Sequence, residues 1–267
     1  MSWDRQITIK TPQELELMRR AGEINAEALQ AAADAAVPGA STMDLNEAAE
    51  SVLKKYGVKS PFIGVMGAYP YPASTNVSIN EELVHGIPSK RRKLAEGDIV
   101  SIDCGTIFEG FVADSAITVP VGEVSEQVKK LLEVTEQALY VGIEQMVVGN
   151  RVGDISAAIQ RFVEDNGFCV VREYTGHGVG RSMHEGPAVP NYGQPGRGML
   201  LRPGMTIALE PMVLIDSPET RVLADQWTVV SRNGLPTAHF EHTVAVTEQG
   251  PRILTQLKDG RNPKRKV

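Results

Sequence analysis

Residues 101–114 read SIDCGTIFEGFVAD, and the stretch contains two aspartates eleven positions apart, Asp103 and Asp114. The segment otherwise has the pattern of a buried β-hairpin with a turn near Phe108 to Gly110. Such a turn puts both aspartates on one face of the hairpin, directly opposite or one diagonal step apart, within roughly 5–8 Å. Because an unpaired buried carboxylate is costly to desolvate, we expect other groups in the fold to compensate both charges.

Helices and strands are predicted to alternate along the chain. A long helix is expected after Thr11, with Glu14 at the spacing of a capping box, and a second from Ser41 to Gly57. Another helix is expected in EVSEQVKKLLEVTEQALYVGIEQMV, residues 123–147. Between these helices we predict strands at 60–66, 76–85, 98–107 and 110–119.

The order of elements repeats, and so do several residues. At an offset of 110 the helical regions match at Glu27-Ala28-Leu29 with Gln137-Ala138-Leu139, Gly39 with Gly149, Asp44-Leu45 with Asp154-Ile155, and Gly57 with Gly167. Later matches shift in register: 94–103 aligns with 201–210, and 113–119 with 240–246. We therefore predict a single domain over residues 1–254, made of two pseudo-symmetric α/β repeats at about 11–120 and 121–250 that share one cleft. Residues 255–267 are expected to form a basic, flexible tail.

Composition and net charge argue against two classes of partner, nucleic acids and membranes. The chain has 267 residues, 42% hydrophobic, with a net charge of −6 and a pI of about 5.5, which gives no support to nucleic-acid or membrane binding. No apolar run reaches the length of a membrane span, and the first residues do not have the pattern of a signal peptide. We expect a cytoplasmic protein whose two cysteines are reduced thiols and whose substrate is small or peptidic.

The repeat indicates where further carboxylates lie. The positions that match Asp103 and Asp114 in the second half are Glu210 and Glu241. At about 4 Å and an effective dielectric constant of about 20, one pair of carboxylates repels by up to about 4 kcal/mol, so four clustered acids must take up protons or bind cations. Two divalent ions would neutralise them. Ligation mainly by oxygen with one imidazole favours Mn, Fe or Co, with Zn also able to bind, and leaves the native metal open.

All five histidines lie near these motifs: His85, His177, His184, His239 and His242. The glycine-rich segment around His177 lets the backbone approach a ligand closely, and the neighbouring acid cluster favours metal ligation by this residue. Substrate contacts are assigned to His85 and His184, because an imidazole can hydrogen-bond a carbonyl or a developing charge near neutral pH. A structural role is preferred for His242, and the role of His239 is left open.

Five motifs in order resemble one known family. They are HGIP at 85–88, IDCGTIFEGFVADSAIT at 102–118, TGHGVGRSMHEGP at 175–187, ALEPM at 208–212 and FEHTVAV at 240–246. Together they resemble the type I methionine aminopeptidases over about residues 7–254. The resemblance implies the pita-bread fold, an α/β (α+β) architecture of two pseudo-symmetric halves with a central antiparallel sheet and outer helices.

The same resemblance implies roles for individual residues. Asp103 would chelate one of two divalent metal ions (Co, Mn, Fe or Zn), His177 and Glu210 the other, and Asp114 and Glu241 would bridge them. Glu210 would also shuttle protons. His184 would polarise the scissile carbonyl, and His85 would contact the scissile amide. Tyr71 and Trp227 are expected to line the methionine pocket.

The sequence departs from the family pattern near that pocket. Family members often have cysteines in the stretch corresponding to VMGAYPYPASTN (65–76), which here has none, and an aromatic residue where Met183 stands before His184. The start of the chain close to the first helix leads us to expect a compact bacterial-style enzyme without an N-terminal zinc-binding extension. These departures leave the specificity of the pocket open.

The resemblance implies a function and a set of partners. The enzyme would remove the N-terminal methionine from nascent proteins and peptides with a small second residue, including its own Met1, which Ser2 follows. Expected partners are nascent polypeptide N-termini, with transient ribosome contact through the basic tail, and no specific nucleic acid or membrane. A monomer is expected by resemblance alone.

Two alternatives share the predicted fold. A prolidase or aminopeptidase P would have a similar five-ligand set, but such enzymes usually carry an additional N-terminal domain that this chain is too short to encode. A binding module without catalysis is expected to lose metal ligands, whereas all five ligand positions are filled here.

Overall fold

The computed structural model describes residues 7–264, in which four helices surround antiparallel β-structure. The helices are α1 (Pro12–Asp34), α2 (Thr42–Tyr56), α3 (Glu126–Glu144) and α4 (Val152–Asp165). The strands are β1 (Thr75–Ile79), β2 (Glu82–Val84), β3 (Ile99–Phe108), β4 (Phe111–Pro120), β5 (Cys169–Val170), β6 (Thr175–Gly178), β7 (Glu185–Pro190), β8 (Thr206–Leu209), β9 (Met212–Leu214), β10 (Thr220–Val222), β11 (Val229–Ser231), β12 (Thr237–His239), β13 (His242–Thr247) and β14 (Gly250–Ile253). The expected removal of Met1 and the end of the basic tail concern positions outside the described residues.

The first two helices begin and end as their sequences predict. The Thr11 side chain accepts a hydrogen bond from the Glu14 amide at 3.2 Å, while the Glu14 carboxylate accepts one from the Thr11 amide at 2.9 Å. This reciprocal pair satisfies two of the free amides at the start of α1. Helix α2 ends at Gly57, which adopts a left-handed conformation with φ of 67°.

The helix pair occurs twice, as the internal repeat predicts. Helix α4 begins at Val152, 110 residues after the start of α2 at Thr42. The turns before these helices also correspond, because Gly39 and Gly149 have φ angles of 89° and 95°. The predicted α/β fold with antiparallel sheets and outer helices is confirmed. The boundaries of the two repeats, about 11–120 and 121–250, and of the single domain stay predictions.

The two halves meet along a seam between β4 and the segment that joins β12 to β13. The Glu241 amide donates a hydrogen bond to the Ala116 carbonyl at 2.8 Å. Two residues away on each strand, the Asp114 amide donates to the Thr243 hydroxyl at 2.9 Å, and that hydroxyl donates to the Asp114 carbonyl at 2.8 Å. Backbone hydrogen bonds therefore fix a carboxylate-bearing residue from each half beside the other.

The hairpin of β3 and β4 has the register that its turn predicts. Glu109 and Gly110 form the turn with φ angles of 47° and 78°, and Asp114 pairs with Gly105. Asp103, two residues before Gly105, lies on the same face. The two aspartates are therefore one diagonal step apart.

Two of the predicted strands differ from the structure. No strand forms over 60–66, where the chain turns at Gly64 with φ of 81°, and the proline at 61 cannot donate to a strand ladder. The predicted strand 76–85 is divided into β1 and β2 by a turn at Asn80, whose φ is 54°. This turn lets β2 pair with β11 of the second half, while β1 remains beside β3.

All four helices contribute to one large core. Their buried side chains, among them Ile24, Leu45, Leu131 and Ile155, belong to a continuous cluster with the strands of both halves. None of these helices, within residues 7–264, is both long and apolar enough to cross a membrane. Because helices cover the outer side of the sheets, the inner side is left to form the wall of a cavity.

Candidate metal centre

The four carboxylates predicted from the repeat reach the same cavity from both halves. Asp103 lies on β3 and Asp114 on β4, whereas Glu210 follows β8 and Glu241 lies between β12 and β13. His177 extends from β6 into the same space. Ligand atoms of Asp114, His177 and Glu241 all lie within 4.8 Å of one another, and all three residues are buried. The structure thus brings all five predicted metal ligands to one cavity.

The orientation of the His177 ring suits metal binding. Its Nδ1 lies 2.9 Å from the Gly178 carbonyl, which can only accept, so Nδ1 carries the proton and Nε2 presents a lone pair. Nε2 lies 3.5 Å from Oε1 of Glu210 and 4.0 Å from Oδ2 of Asp114. A histidine held in this way by a backbone carbonyl is a common arrangement among metal ligands.

Several buried polar atoms in the cluster have no hydrogen-bond partner among residues 7–264. They include Oδ1 of Asp103, Oδ1 of Asp114 and Nε2 of His239. The other oxygen of Asp103 accepts a hydrogen bond from Nδ2 of Asn76 at 2.7 Å. Carboxylate oxygens and imidazole nitrogens that lack partners are donors that divalent transition metals bind, so the residues present fit the implied ions.

Burial opposes negative charge in this cluster. Burial, the largest cause, raises the pKa of Asp103 to about 6 and that of Glu210 to about 7. It raises the pKa values of Asp114 and Glu241 well above the usual range, and the charges of neighbouring carboxylates raise them further. Divalent cations would remove this penalty by compensating the ionised carboxylates directly.

His239 and His242, which flank Glu241, have different surroundings. His239 is buried and faces the cluster, with Nε2 3.5 Å from Oε2 of Glu210 and 4.0 Å from Oε2 of Glu241. His242 lies on the other side of the strand, where its Nδ1 is 2.8 Å from the Thr255 hydroxyl. Burial lowers the pKa of His242 to about 4, so it is a neutral packing residue. The open role of His239 thus concerns a residue within the site.

His85 and His184 lie in the walls of the cavity. The exposed His184 is close to the cluster, because its ring centre is 4.4 Å from that of His177. His85 has a left-handed backbone with φ of 62°, a conformation that is uncommon for a residue with a side chain. Burial, and secondly the charge of His239, lower the pKa of His85 to about 4, so its ring is neutral at physiological pH.

The cavity has a volume of about 340 Å³, and apolar side chains form the wall beside the carboxylates, the apolar chamber. The rings of Tyr71 and Trp227 pack edge to face in its wall, with centroids 5.1 Å apart, and the His85 ring lies 6.3 Å from that of Trp227. The Tyr71 hydroxyl is 3.0 Å from the Gly86 carbonyl, which holds the tyrosine against the residue after His85. The predicted pocket residues therefore do line one cavity.

Sequence reasoning did not identify several residues of the site. Further residues that line the cavity include Phe62, Met66, Asn76, Tyr174 and Met212. Asn76 had a detectable signal, because it begins the predicted strand 76–85, and the pairing of that strand with β3 places its amide opposite Asp103. The apolar residues had none, since each also fits an ordinary core position.

Comparison with known proteins gives consistent results. The model of metallopeptidase family M24 matches residues 16–248. Methionine aminopeptidase of Clostridium acetobutylicum is 49% identical over 93% of this chain and 98% of its own length. Methionine aminopeptidase 1 of Bacillus subtilis is 50% identical over 94% of this chain and its entire length.

Solved structures agree in fold. The methionine aminopeptidase of Thermotoga maritima superposes with a TM-score of 0.91 at 46% identity, over 94% of this chain and all of that one. The prolidase from Pyrococcus furiosus superposes with a TM-score of 0.73 at 24% identity, and the match covers 66% of its length. The second likeness concerns the fold alone.

Proposed function

We propose that this chain, which belongs to metallopeptidase family M24, removes the N-terminal methionine from proteins and peptides with a small second residue. It is a methionine aminopeptidase of the type I class and uses divalent metal ions to hydrolyse the first peptide bond. The observation that carries the proposal is the convergence of five candidate ligand side chains from both halves in one cavity that is otherwise lined largely by apolar side chains. The relatives at 49% and 50% identity span nearly the whole chain and support the same activity.

The proposed ligand set divides the five residues between two ions. Asp103 would hold one ion, His177 and Glu210 would hold the other, and Asp114 and Glu241 would be shared by both. The two central residues are those fixed at the seam, where the Glu241 amide and the Ala116 carbonyl are 2.8 Å apart. When bound, the ions supply Lewis-acid polarisation of the substrate carbonyl and activation of a water molecule.

Three side chains of the cavity are proposed to move protons and orient the substrate. Glu210 accepts the proton of the attacking water and passes it to the leaving amine, which fits a carboxylate that lies at the edge of the cluster and is 13% exposed. His184, beside His177, holds the scissile carbonyl oxygen. His85 is neutral, so its ring can hydrogen-bond the scissile amide without adding positive charge near the ions.

The apolar chamber supplies the proposed specificity. Tyr71 and Trp227 form an edge-to-face pair beside His85, which places an apolar wall next to the reacting bond. A thioether side chain is flexible and packs well against aromatic rings, so this wall suits methionine. Residues of the stretch 65–76 and Met183, where the sequence departs from the family pattern, lie in or near this wall. Because the family pattern therefore does not determine the specificity of the pocket, strictness for methionine is part of the proposal.

A peptide assay tests the proposal. The metal-loaded protein should release methionine from Met-Ala-Ser and leave an Ala-Pro peptide intact, whereas a prolidase would show the reverse preference. Asp103→Asn should lose bound metal and most activity. Asp259→Asn, a change in an exposed aspartate paired with Arg261, serves as the matched control. Full metal loading with turnover of the prolyl peptide alone would contradict the proposal.

The partners and location follow from the same activity. We include nascent polypeptide N-termini as substrates, a cytoplasmic location, a monomeric state and a transient contact of the basic tail with the ribosome. The activity of relatives and the absence of a membrane-crossing helix within 7–264 are compatible with this set. Cosedimentation with ribosomes, compared with a variant in which the basic residues 264–266 are changed to serine, tests the contact.

A further inference from the structure

His239 has a buried imidazole and is not one of the five proposed metal ligands. The residue is only 2% exposed, and its Nε2 has no hydrogen-bond partner within the described part of the chain. Leaving a buried ring nitrogen without a partner is unfavourable. The nitrogen is directed into the cavity that holds Asp103, Glu210 and Glu241, which suggests that its partner is a ligand rather than a protein atom.

The distances around Nε2 fit a shared ion better than a hydrogen bond. Nε2 lies 3.5 Å from Oε2 of Glu210 and 4.0 Å from Oε2 of Glu241. Nitrogen–oxygen hydrogen bonds are usually about 2.7–3.2 Å long. Two donors that each lie about 2.0–2.2 Å from one ion are themselves about 3.0–3.6 Å apart at ligand angles of about 90–120°. The 3.5 Å separation from Glu210 falls in the second range, and the 4.0 Å separation from Glu241 is somewhat longer.

The predicted ligand His177 has the same relation to its neighbours. Its Nε2 lies 3.5 Å from Oε1 of Glu210 and 4.0 Å from Oδ2 of Asp114. The Glu210 carboxylate is therefore flanked by two imidazoles, one at each oxygen and each at the same distance. If this geometry indicates metal ligation for His177, it does so equally for His239.

The backbone of His239 is held rigidly. Its amide donates to the Thr118 hydroxyl at 2.9 Å, and that hydroxyl lies 2.8 Å from the His239 carbonyl and 2.8 Å from the Ser101 hydroxyl. His239 also pairs with Met212 in the β9–β12 ladder. A side chain on a fixed strand keeps its direction, so the ring remains pointed at the cluster.

We infer that His239 is a sixth protein ligand of the metal pair, bound through Nε2 on the side of Glu210 opposite to His177. The inference rests on the proposed metal-dependent function and adds one imidazole to its ligand set. The centre then contains four carboxylates and two imidazoles. Two imidazole ligands shift the preference of the site towards zinc, cobalt and iron relative to manganese.

Counting the ligated imidazoles in the unaltered protein tests this directly. In the cobalt-loaded holoenzyme, ring N–H protons of ligated histidines give paramagnetically shifted, solvent-exchangeable proton NMR signals. We expect two such signals, from His177 and His239. A single signal at full cobalt occupancy would overturn the inference while leaving the proposed function intact.

A pair of variants tests which residue supplies the second signal. His239→Gln should remove one signal and weaken the binding of one ion at least tenfold by calorimetric titration, because even the loss of an outer partner costs tenfold or more. His242→Gln is the matched control, since it removes a buried imidazole that contacts Thr255 instead of the cluster. Both signals and unchanged affinity in folded His239→Gln would refute the assignment.

Folding and the proposed function are controlled separately. Circular dichroism of both variants reports whether the fold is retained, and His239→Asn replaces His239→Gln if the latter does not fold. Aminopeptidase activity of the unaltered protein reports the function. Absence of any shifted signal and of any binding heat in the unaltered protein would refute both proposals, whereas activity with one signal would refute only the assignment of His239.

Discussion

Removal of the metal ions should make stability fall as the pH rises through neutrality. The pKa of Glu210 is raised by burial from its ordinary 4.5 to about 7, and those of Asp114 and Glu241 are raised well above their ordinary values. The folded, metal-free protein therefore holds protons that the unfolded chain has released. The free energy of unfolding decreases with pH wherever the folded state binds more protons.

The size of the effect follows from these pKa values. Each proton held only by the folded state changes the free energy of unfolding by about 1.4 kcal/mol per pH unit. From about pH 7.5 to about pH 9, Glu210 contributes little because it has already released most of its proton, whereas a carboxyl that stays protonated throughout accounts for a loss of about 2 kcal/mol. We expect a decrease of at least about 1 kcal/mol for the chelated protein.

The lower limit of this pH range is set by buried histidines. The pKa values of His85 and His242 are lowered by burial to about 4, so their contribution to stability grows with pH, is only half developed at the unfolded pKa of about 6.5 and is nearly complete at about pH 7.5. Below that pH, the stability gained from the histidines as the pH rises partly cancels the stability lost through the carboxylates. Urea unfolding of the chelated protein, followed by circular dichroism at several pH values above this limit, isolates the carboxylate effect.

Two controls make the result specific. Saturation with metal should abolish the decrease or reverse it, because bound cations favour the ionised carboxylates. Glu241→Gln removes one titrating group and should make the decrease smaller in the chelated protein. Stability of the chelated protein that is constant or rises over the same pH range would refute the assignment of raised pKa values to this cluster.

Two further predictions concern residues that support the site. Asn76→Ala removes the amide that donates to Asp103 at 2.7 Å, so metal affinity measured by calorimetry should fall about tenfold with little change in melting temperature; unchanged affinity would contradict a supporting role. Lys10→Met leaves Glu185 buried without its partner at 2.7 Å and should lower the free energy of urea unfolding by about 3 kcal/mol. The double variant with Glu185→Leu should recover most of that loss. The activity of both variants should show whether the position of the loop that carries His184 depends on the ion pair of Lys10 and Glu185.

The parts of the fold that the sequence predicts are those that depend on local geometry. The turn at Glu109 and Gly110 fixes the register of β3 and β4, and the register alone places Asp103 and Asp114 on one face. The capping residues and the glycine at 57 likewise set the ends of helices by backbone hydrogen bonds close in sequence. Such features could be predicted because one or two adjacent residues determine them.

The parts that could not be predicted depend on contacts distant in sequence. The pairing of β2 with β11 follows from the turn at Asn80 and from packing between halves, so the continuous strand 76–85 was an incorrect prediction. The direction of His239 depends on Thr118, 121 positions away, whose hydroxyl holds its backbone. The alternation of side chains along a strand favours the same face for His239 and Glu241. The sequence does not determine whether a buried imidazole on that face contacts a protein atom or a ligand.

The duplication of the fold extends to the carboxylates but not to His239. In the alignment of 113–119 with 240–246, Asp114 corresponds to Glu241. Extending this alignment by one residue towards the N-terminus matches Val112 with His239. Val112 is buried in an apolar cluster with Phe111, whereas His239 faces the cavity. Both imidazoles beside Glu210 thus come from the second half.

This asymmetry would give a preferred side for substrate binding to a site whose four carboxylates are nearly symmetric. Four carboxylates related in pairs would present equivalent surroundings to two ions, and a substrate would have no preferred side. Imidazoles at His177 and His239 make the surroundings of Glu210 different from those of Asp103, whose remaining partner is the Asn76 amide. With the role proposed for His184, whose ring centre lies 4.4 Å from that of His177, the substrate carbonyl would be held on the imidazole-rich side and the side chain would enter the apolar part of the cavity beside Trp227.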